Sequence, residues 1–190
     1  MNEKASRRES ARGGEGAARG EGAACGDGAS SGAVTPRFLV DGTAGKLARW
    51  LRVLGFDAVY AAHCEAPAIA RLARQSGRMV LTRNTEVAGR LANKAILLES
   101  EHLRGQLEQV IDSVGKDACR PFSRCNVCNR KLERVEKEAV RGRVPEFVYA
   151  TQEAFSCCPE CGRYFWHGTH YANMLEQVRI IVEGDQDESE

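Results

Sequence analysis

Long apolar runs are missing from this 190-residue chain, and aromatic residues make up only 6% of it. No stretch approaches the roughly 20 consecutive apolar residues that a membrane-spanning helix needs. The N-terminus also lacks the apolar segment of a secretory signal peptide. We therefore expect a cytoplasmic protein with no membrane contact, built as one ordinary domain or as one domain with a small added module.

The first part of the chain lacks the side chains that build a hydrophobic core. Leu, Ile, Val and aromatic residues are absent between Met1 and Val34, a stretch that contains eight Gly and eight Ala. Such a segment cannot bury enough apolar surface to offset the entropy lost when a chain becomes ordered. We predict a disordered Gly/Ala-rich tail over residues 1–35, and an acidic tail over residues 183–190, which contain five acids and no base.

The net charge is only +1, but the charged residues are unevenly distributed along the chain. Residues 1–34 are neutral and residues 183–190 carry −5, so the segment between them carries +6. A mildly basic body suits a polyanionic partner such as RNA, although solvated charged surfaces are the commoner reason for such a balance. Charge alone therefore permits a nucleic-acid partner without requiring one, and it leaves protein partners unknown.

Cysteine, in contrast, is plentiful, with eight residues. Four of them form two Cys-x-x-Cys pairs, Cys125 with Cys128 and Cys158 with Cys161. This spacing lets a tight turn aim both sulfurs at one ion, and two such turns complete a tetrahedral zinc site with no position open to water. Cys157 lacks the two-residue spacing to Cys161. We predict that the two pairs bind a structural Zn²⁺, which favours a reducing compartment.

The segment after Arg37 alternates between short apolar runs and helical patterns four times. The apolar runs predict strands at residues 38–40, 58–60, 79–81 and 95–98. Apolar side chains at helical spacing predict helices at residues 47–54, 67–76, 85–93 and 103–114. This alternation favours an α/β fold with a parallel sheet covered by helices on both faces. Residues 144–149 are interpreted as a further strand, and residues 171–181 as a closing amphipathic helix.

Acids and small polar groups follow the predicted strands, where ligands of open parallel sheets gather. Asp41 ends the first strand, Glu65 lies in the loop after the second, Asn84 follows the third, and Glu99 and Glu101 follow the fourth. Clustered carboxylates hold Mg²⁺ or Mn²⁺, which promote phosphodiester hydrolysis. The alternative is that such residues cap the next helix, a role that suits Asn84.

Several motifs, in order, resemble those of a family of PIN-like ribonucleases that carry a C-terminal zinc ribbon, named after the C-terminal domain of the Mut-seven exonuclease. The resemblance covers residues 37–175. The motifs are Phe38–Arg52 with Leu54–Asp57, then Gly77–Asn84, Phe122–Cys128 and Cys158–His170.

The resemblance implies a PIN-like domain over residues 36–115 and a zinc ribbon with its closing helix over residues 116–182. It also implies a Mg²⁺- or Mn²⁺-dependent nuclease acting on RNA. Asp41 would be the first metal-binding acid, and Glu99 or Glu101 a later one. The candidate catalytic residues are Asp41, Asn84, Glu99, Glu101 and Glu65. The candidate substrate-binding residues are Thr43, Lys46, Arg49, Thr82 and Arg83.

Two departures from the family pattern leave the activity open. The family usually has Asp where this chain has Asn84, and it tends to have acids where this chain reads Glu65-Ala66-Pro67. Asn adds no negative charge, so a hard divalent ion would bind less well. The alternative to a ribonuclease is an RNA-binding or protein-interaction module that retains the fold.

An aromatic triplet follows the last metal-ligand pair. Tyr164, Phe165 and Trp166, near several basic residues, would either stack on nucleic-acid bases or form the core of the ribbon. We favour the core interpretation, because so small a module has few other apolar residues to bury.

Overall fold

The computed structural model of the protein describes residues 35–183, so most of the two predicted tails, residues 1–34 and 184–190, lies outside the described residues. The first sheet has four parallel strands in the order β2-β1-β3-β4, which confirms the predicted α/β fold. The strands are β1 (Arg37–Asp41), β2 (Asp57–Ala61), β3 (Met79–Thr82) and β4 (Ala95–Leu97).

Helices cover both faces of this sheet. They are α1 (Gly45–Val53), α2 (Ala66–Ser76), α3 (Thr85–Leu91) and α4 (Leu103–Val114). Successive residues of a strand point to opposite faces. Phe38 and Val40 therefore pack with α1 and α4, whereas Leu39 packs with α2 and α3.

A glycine lets the chain pass close to the end of α1. Gly55 has a φ of +90°, and a Cβ placed there would lie 2.0 Å from the carbonyl oxygen of Arg120. The Arg120 amide donates to the Leu54 carbonyl at 2.8 Å, and the Phe122 amide donates to the Val53 carbonyl at 2.7 Å. The segment between the sheet and the cysteines thus satisfies the last carbonyls of α1, which a helix leaves without partners.

The second sheet is small and antiparallel, with strands β5 (Glu133–Val135), β6 (Phe155–Cys157) and β7 (Tyr164–Trp166). Helix α6 (Thr169–Glu183) follows it and buries Val178 and Ile181 in the core shared by α1 and α4. No helix within residues 35–183 has the length and hydropathy required to cross a bilayer. The domain boundaries at residues 36–115 and 116–182 stay a prediction.

The strand predicted at residues 144–149 is wrong, because these residues lead into helix α5 (Glu146–Thr151). Pro145 has no amide hydrogen to contribute to a sheet, and its φ of −55° suits the start of a helix. The Tyr149 amide donates to the Pro145 carbonyl at 3.0 Å. A short apolar run does not distinguish a strand from a helix, and here the proline favours the start of a helix.

The ribbon is attached to the amino end of the first sheet through Asp57. This carboxylate accepts two hydrogen bonds from Arg78, at 2.7 and 3.1 Å, and one from the Asn129 amide group at 2.7 Å. Asn129 Oδ1 in turn accepts from the Ala58 amide at 3.1 Å. Asn129 comes directly after Cys128, so these bonds fix the first cysteine turn against the start of β2.

Two arginines strengthen the same attachment. Arg52, on α1, donates to the Ala58 carbonyl at 2.8 Å and to the Val127 carbonyl, inside the first cysteine turn, at 2.7 Å. Arg124 donates to the Gly55 carbonyl at 3.2 Å. The position of the first cysteine turn is therefore set by Asp57 on the sheet, by Arg52 on α1, and by Arg124 and Asn129, which flank the turn.

Replacing Asp57 with Ala should lower the free energy of unfolding by about 1–3 kcal/mol, because Arg78 and Asn129 lose a charged acceptor. Burial raises the pKa of Asp57, but the hydrogen bonds from Arg78 and Asn129 outweigh it, so the net pKa lies below its usual value. The stabilisation is therefore complete above the unfolded-state pKa of about 4 and is lost as the pH falls through the lower folded-state pKa.

Urea denaturation across this pH range measures the difference between the wild type and Asp57→Ala. The difference should shrink as the pH falls. Asp112→Ala, at an exposed position on α4, is the control and should change little. A difference for Asp57→Ala that is constant with pH would contradict this account.

Candidate active site and metal centre

The strand order places a crevice at one edge of the first sheet. The chain moves from β1 to β2 on one side, and β3 lies on the other side of β1. Ligands of such sheets bind outside the carboxyl ends of the two strands at this reversal. Asp41 ends β1 and Thr82 ends β3, and a cavity of about 640 Å³ opens beside Asp41.

Asp41 is a buried carboxylate, with 2% of its surface exposed. Its Oδ1 accepts from the Thr43 amide at 2.9 Å and from the Thr43 hydroxyl. Its Oδ2 accepts from the Thr82 hydroxyl. Both carboxylate oxygens are therefore held in place by neighbours from the two strand ends.

The backbone after β3 orients both threonines. The Arg83 amide donates to Thr43 Oγ1 at 3.2 Å, and the Asn84 amide donates to Thr82 Oγ1 at 2.9 Å. A backbone amide can only donate, so each hydroxyl has its own proton left for Asp41. Thr43 and Thr82 position this side chain, and their predicted contact with substrate stays a prediction.

Asn84 also acts as the cap of α3. Its Oδ1 accepts from the Glu86 amide at 2.8 Å and from the Val87 amide at 3.4 Å. The side chain lies on the wall of the cavity, but its oxygen is already used by the helix. The capping alternative is therefore present in the structure, and a metal ion would have to share this oxygen with the helix.

Two glutamates complete the acidic wall of the cavity. Glu65 precedes α2, and Glu86 lies in the first turn of α3, where it pairs with Arg90 at 2.9 Å. Among residues 35–183, no Lys or Arg lines this cavity. Glu65 is among the residues predicted from the sequence, whereas Glu86 is not. Its position two residues after the polar end of β3 was the signal that could have identified it.

The acids that follow β4 do not line the cavity beside Asp41. Glu99 is exposed, its amide bonds to Gln109, and it does not line the cavity. Glu101 forms an ion pair with Arg83, which is therefore already engaged. Strand β4 is separated from β1 by β3, which explains why these acids are not beside Asp41. Their catalytic role stays a prediction.

Two candidate substrate-binding residues lie on α1. Lys46 and Arg49 are exposed, on the helix that begins just after Asp41. They do not line the cavity. Their predicted contact with a phosphate backbone stays a prediction.

The cavity has a donor set that suits a hard divalent cation. Asp41, Glu65 and Glu86 supply carboxylate oxygens there. Among residues 35–183, the four cysteines are the one group of three or more ligand side chains already drawn together. Mg²⁺ is commonly bound by one or two carboxylates, with water and substrate phosphates completing its shell. Asp41 and one glutamate therefore fit such an ion.

The four predicted zinc ligands form a single cluster. The sulfur atoms of Cys125, Cys128, Cys158 and Cys161 all lie within 4.8 Å of one another, and those of Cys125 and Cys161 are 3.9 Å apart. Tetrahedral zinc with bonds of about 2.3 Å separates its sulfurs by about 3.8 Å. Cys125 and Cys158 are buried. Cys157 is outside the cluster, as expected. The arrangement fits a structural zinc ion.

The two cysteine turns share one backbone geometry. The Asn129 amide donates to the Cys125 carbonyl, and the Gly162 amide donates to the Cys158 carbonyl, both at 2.9 Å. Asn129 has a φ of +64° and Gly162 a φ of +67°. Gly and Asn are the residues that adopt this left-handed conformation most readily. The residue after each cysteine pair therefore has the backbone preference that the turn requires.

Thiols this close cannot all ionise without a cation. Hydrogen bonding to Cys161 raises the pKa of Cys128 to about 12, whereas hydrogen bonding from the Arg163 backbone lowers the pKa of Cys161 to about 6. Zinc must therefore displace protons that are held within this cluster, and its binding weakens as the pH falls.

The fold and these two sites define a PIN-like α/β domain joined to a four-cysteine ribbon. The family model described as the Mut7-C RNAse domain matches residues 36–178, so the chain belongs to that family. No curated protein and no solved structure matches the chain.

Purified protein should contain one zinc ion per chain, measured by elemental mass spectrometry. Cys158→Ser removes a buried ligand and should abolish zinc binding and lower the midpoint of thermal unfolding. Cys157→Ser is the matched control, because the neighbouring thiol is outside the cluster, and it should keep full zinc content. Equal zinc loss in both variants would contradict the assigned ligand set.

Proposed function

We propose that this protein is a Mg²⁺- or Mn²⁺-dependent ribonuclease that hydrolyses RNA phosphodiester bonds at the cavity beside Asp41. The supporting observation is the buried Asp41 carboxylate, fixed at the reversal of strand order in a member of an RNase family. We also propose that it works in the cytoplasm, where a reducing environment keeps the four zinc ligands from forming disulfides.

The proposed roles follow from the wall of the cavity. Asp41, with Glu65 or Glu86, holds the divalent ion. The bound ion supplies a Lewis acid for the phosphate and lowers the pKa of water. Thr43 and Thr82 keep both oxygens of Asp41 in one orientation, so this ligand needs no rearrangement when an ion enters.

Basic side chains near this edge of the sheet contact the negatively charged backbone of RNA. Lys46 and Arg49 are exposed on the helix that starts beside Asp41, and Arg83 follows β3. An acidic wall alone would repel a polyanion, so basic residues at its border are required for binding. We propose that these three side chains contact phosphates on either side of the bond that is cleaved, with Arg83 exchanging its exposed ion pair with Glu101 for a phosphate.

Asp41→Asn should lower the rate of Mn²⁺-dependent RNA cleavage about 100-fold or more. Removing a metal-binding charge sacrifices several kcal/mol of transition-state stabilisation. The amide oxygen still accepts hydrogen bonds, so the fold and RNA binding should persist. Cleavage of end-labelled single-stranded RNA, with and without Mn²⁺, measures the effect.

The matched control is Asp112→Asn, which removes the same charge from an exposed position on α4. It should cleave RNA like the wild type. Cleavage that survives Asp41→Asn would exclude the proposed site. RNA binding without cleavage by the wild type would leave the fold in place and reject the ribonuclease.

A second candidate function is RNA binding with weak or absent cleavage. It is favoured by Asn84, which provides no charge and whose oxygen is occupied by the Glu86 and Val87 amides. The ion would then depend on fewer charged ligands, and its affinity would fall. Under this alternative, the same surfaces bind RNA for another purpose.

Asn84→Asp should raise cleavage and lower the Mn²⁺ concentration at half-maximal rate. Asp caps a helix about as well as Asn, so α3 should be unaffected while the cavity gains a negative charge. Asn84→Ser, which caps without charge, is the control and should give no gain. If Asn84→Asp binds RNA and does not cleave it, the second candidate is supported.

A further inference from the structure

The ribbon borders a second cavity whose charge is opposite to that of the first. This groove has a volume of about 890 Å³ and runs along the small sheet to the start of α6. Within the described part of the chain, no Asp or Glu lines it, whereas four cationic side chains do. These are Arg120, Arg124, Lys131 and Arg134.

Two of the four cations are available to a ligand. Arg120 and Arg124 donate to backbone carbonyls, which fixes their positions in the wall. Lys131 and Arg134 are exposed, and within residues 35–183 neither has an ion-pair or hydrogen-bond partner for its side chain. Cations left unpaired at the border of a groove attract a polyanion.

The groove also carries a row of three rings in contact, with one pair tilted by 42° and the other pair stacked. Phe122 and Tyr171 have centroids 4.2 Å apart, and Tyr171 and His167 are stacked at 4.1 Å. His167 is exposed at the end of the row. Phe122, Tyr171 and His167 all line the groove. A flat ring can extend the row at His167, and every nucleic-acid base offers such a face.

The aromatic triplet of the ribbon borders the same space. Tyr164, Phe165 and Trp166, for which the sequence favours a core role, all keep partial exposure and line the groove. Phe155 is the ribbon aromatic that is buried, with 2% of its surface exposed. The half-exposed rings are therefore accessible to a ligand in the groove.

We propose that this groove binds single-stranded RNA, with phosphates at Lys131 and Arg134 and a base stacked on the ring row at His167. The inference rests on the proposed RNA-directed function and assigns it a second contact. Charge alone would also suit an acidic peptide. The row of flat rings favours bases, because stacking uses a face that every base presents.

The groove is remote from the candidate active site. It borders Val53 and Gly55, near the amino ends of the strands, whereas Asp41 is at the carboxyl end. The five residues of β1 alone separate these ends by about 13 Å. RNA held in the groove is therefore anchored several nucleotides away from the bond that Asp41 would address.

The test is RNA binding by a charge-reversal variant. Zinc-loaded K131E/R134E and the wild type are titrated against labelled oligouridine without added Mg²⁺ or Mn²⁺, at a series of salt concentrations. Each lost phosphate contact should lower the slope of log affinity against log salt by about 0.7. R71E/K94E reverses two exposed charges away from the groove and is the matched control. Equal zinc content and equal urea midpoints establish that all three proteins are folded.

A second variant tests stacking. His167→Ala should weaken binding about tenfold, with the salt slope unchanged, because a stacking contact carries no counterion release. Affinities and slopes that match the wild type in both K131E/R134E and His167→Ala would overturn the proposal. Equal weakening by R71E/K94E would overturn it as well, since the effect would then be one of net charge.

Polyglutamate separates the two possible classes of ligand. If it displaces oligouridine at equal charge concentration, the groove recognises charge and the assignment to RNA is rejected. Failure of the ribonuclease is distinguishable, because Asp41→Asn and the wild type would then both leave RNA intact while the groove variants still change binding.

Discussion

A buried carboxylate is the constraint around which the first sheet is organised. An ion removed from water without partners is destabilised by several kcal/mol, so Asp41 is tolerated only because Thr43 and Thr82 donate hydrogen bonds to its oxygens. Those hydroxyls are in turn held by the amides of Arg83 and Asn84. The ends of β1 and β3 and the start of α1 are therefore fixed together, and the open side of the carboxylate faces the cavity.

The two ends of the first sheet carry two different kinds of candidate ion site. At the amino end, Asp57 and Asn129 lock a sulfur-lined turn to the sheet, and the four thiols need a soft cation to ionise together. At the carboxyl end, the carboxylate oxygens of Asp41, Glu65 and Glu86 suit a hard cation, and among residues 35–183 no Lys or Arg lines that cavity. The first site fits an ion that stabilises the fold, and the second is the site at which we propose that a catalytic ion binds.

The sequence predicts those features that depend on local spacing. Asp41 follows an apolar strand, and the cysteine pairs carry their own geometry, so both were identified. Strand order is not local, and for that reason Glu99 was grouped with Asp41 although β3 lies between their strands. Glu86 was not predicted, because an acidic residue in the first turn of a helix is usually explained by its favourable interaction with the helix dipole. Residues 144–149 were misread because a short apolar run fits both a strand and a helix.

Asn84 connects the structural and the chemical roles of the cavity. An aspartate there would keep the cap of α3 but add a fourth carboxylate to a wall that already carries Asp41, Glu65 and Glu86. Carboxylates within such a wall repel one another, and asparagine adds nothing to that repulsion. The same lack of charge lowers the attraction for a divalent ion. Under the proposed function, substrate phosphates would supply further oxygen ligands to that ion, so metal binding and RNA binding would be coupled.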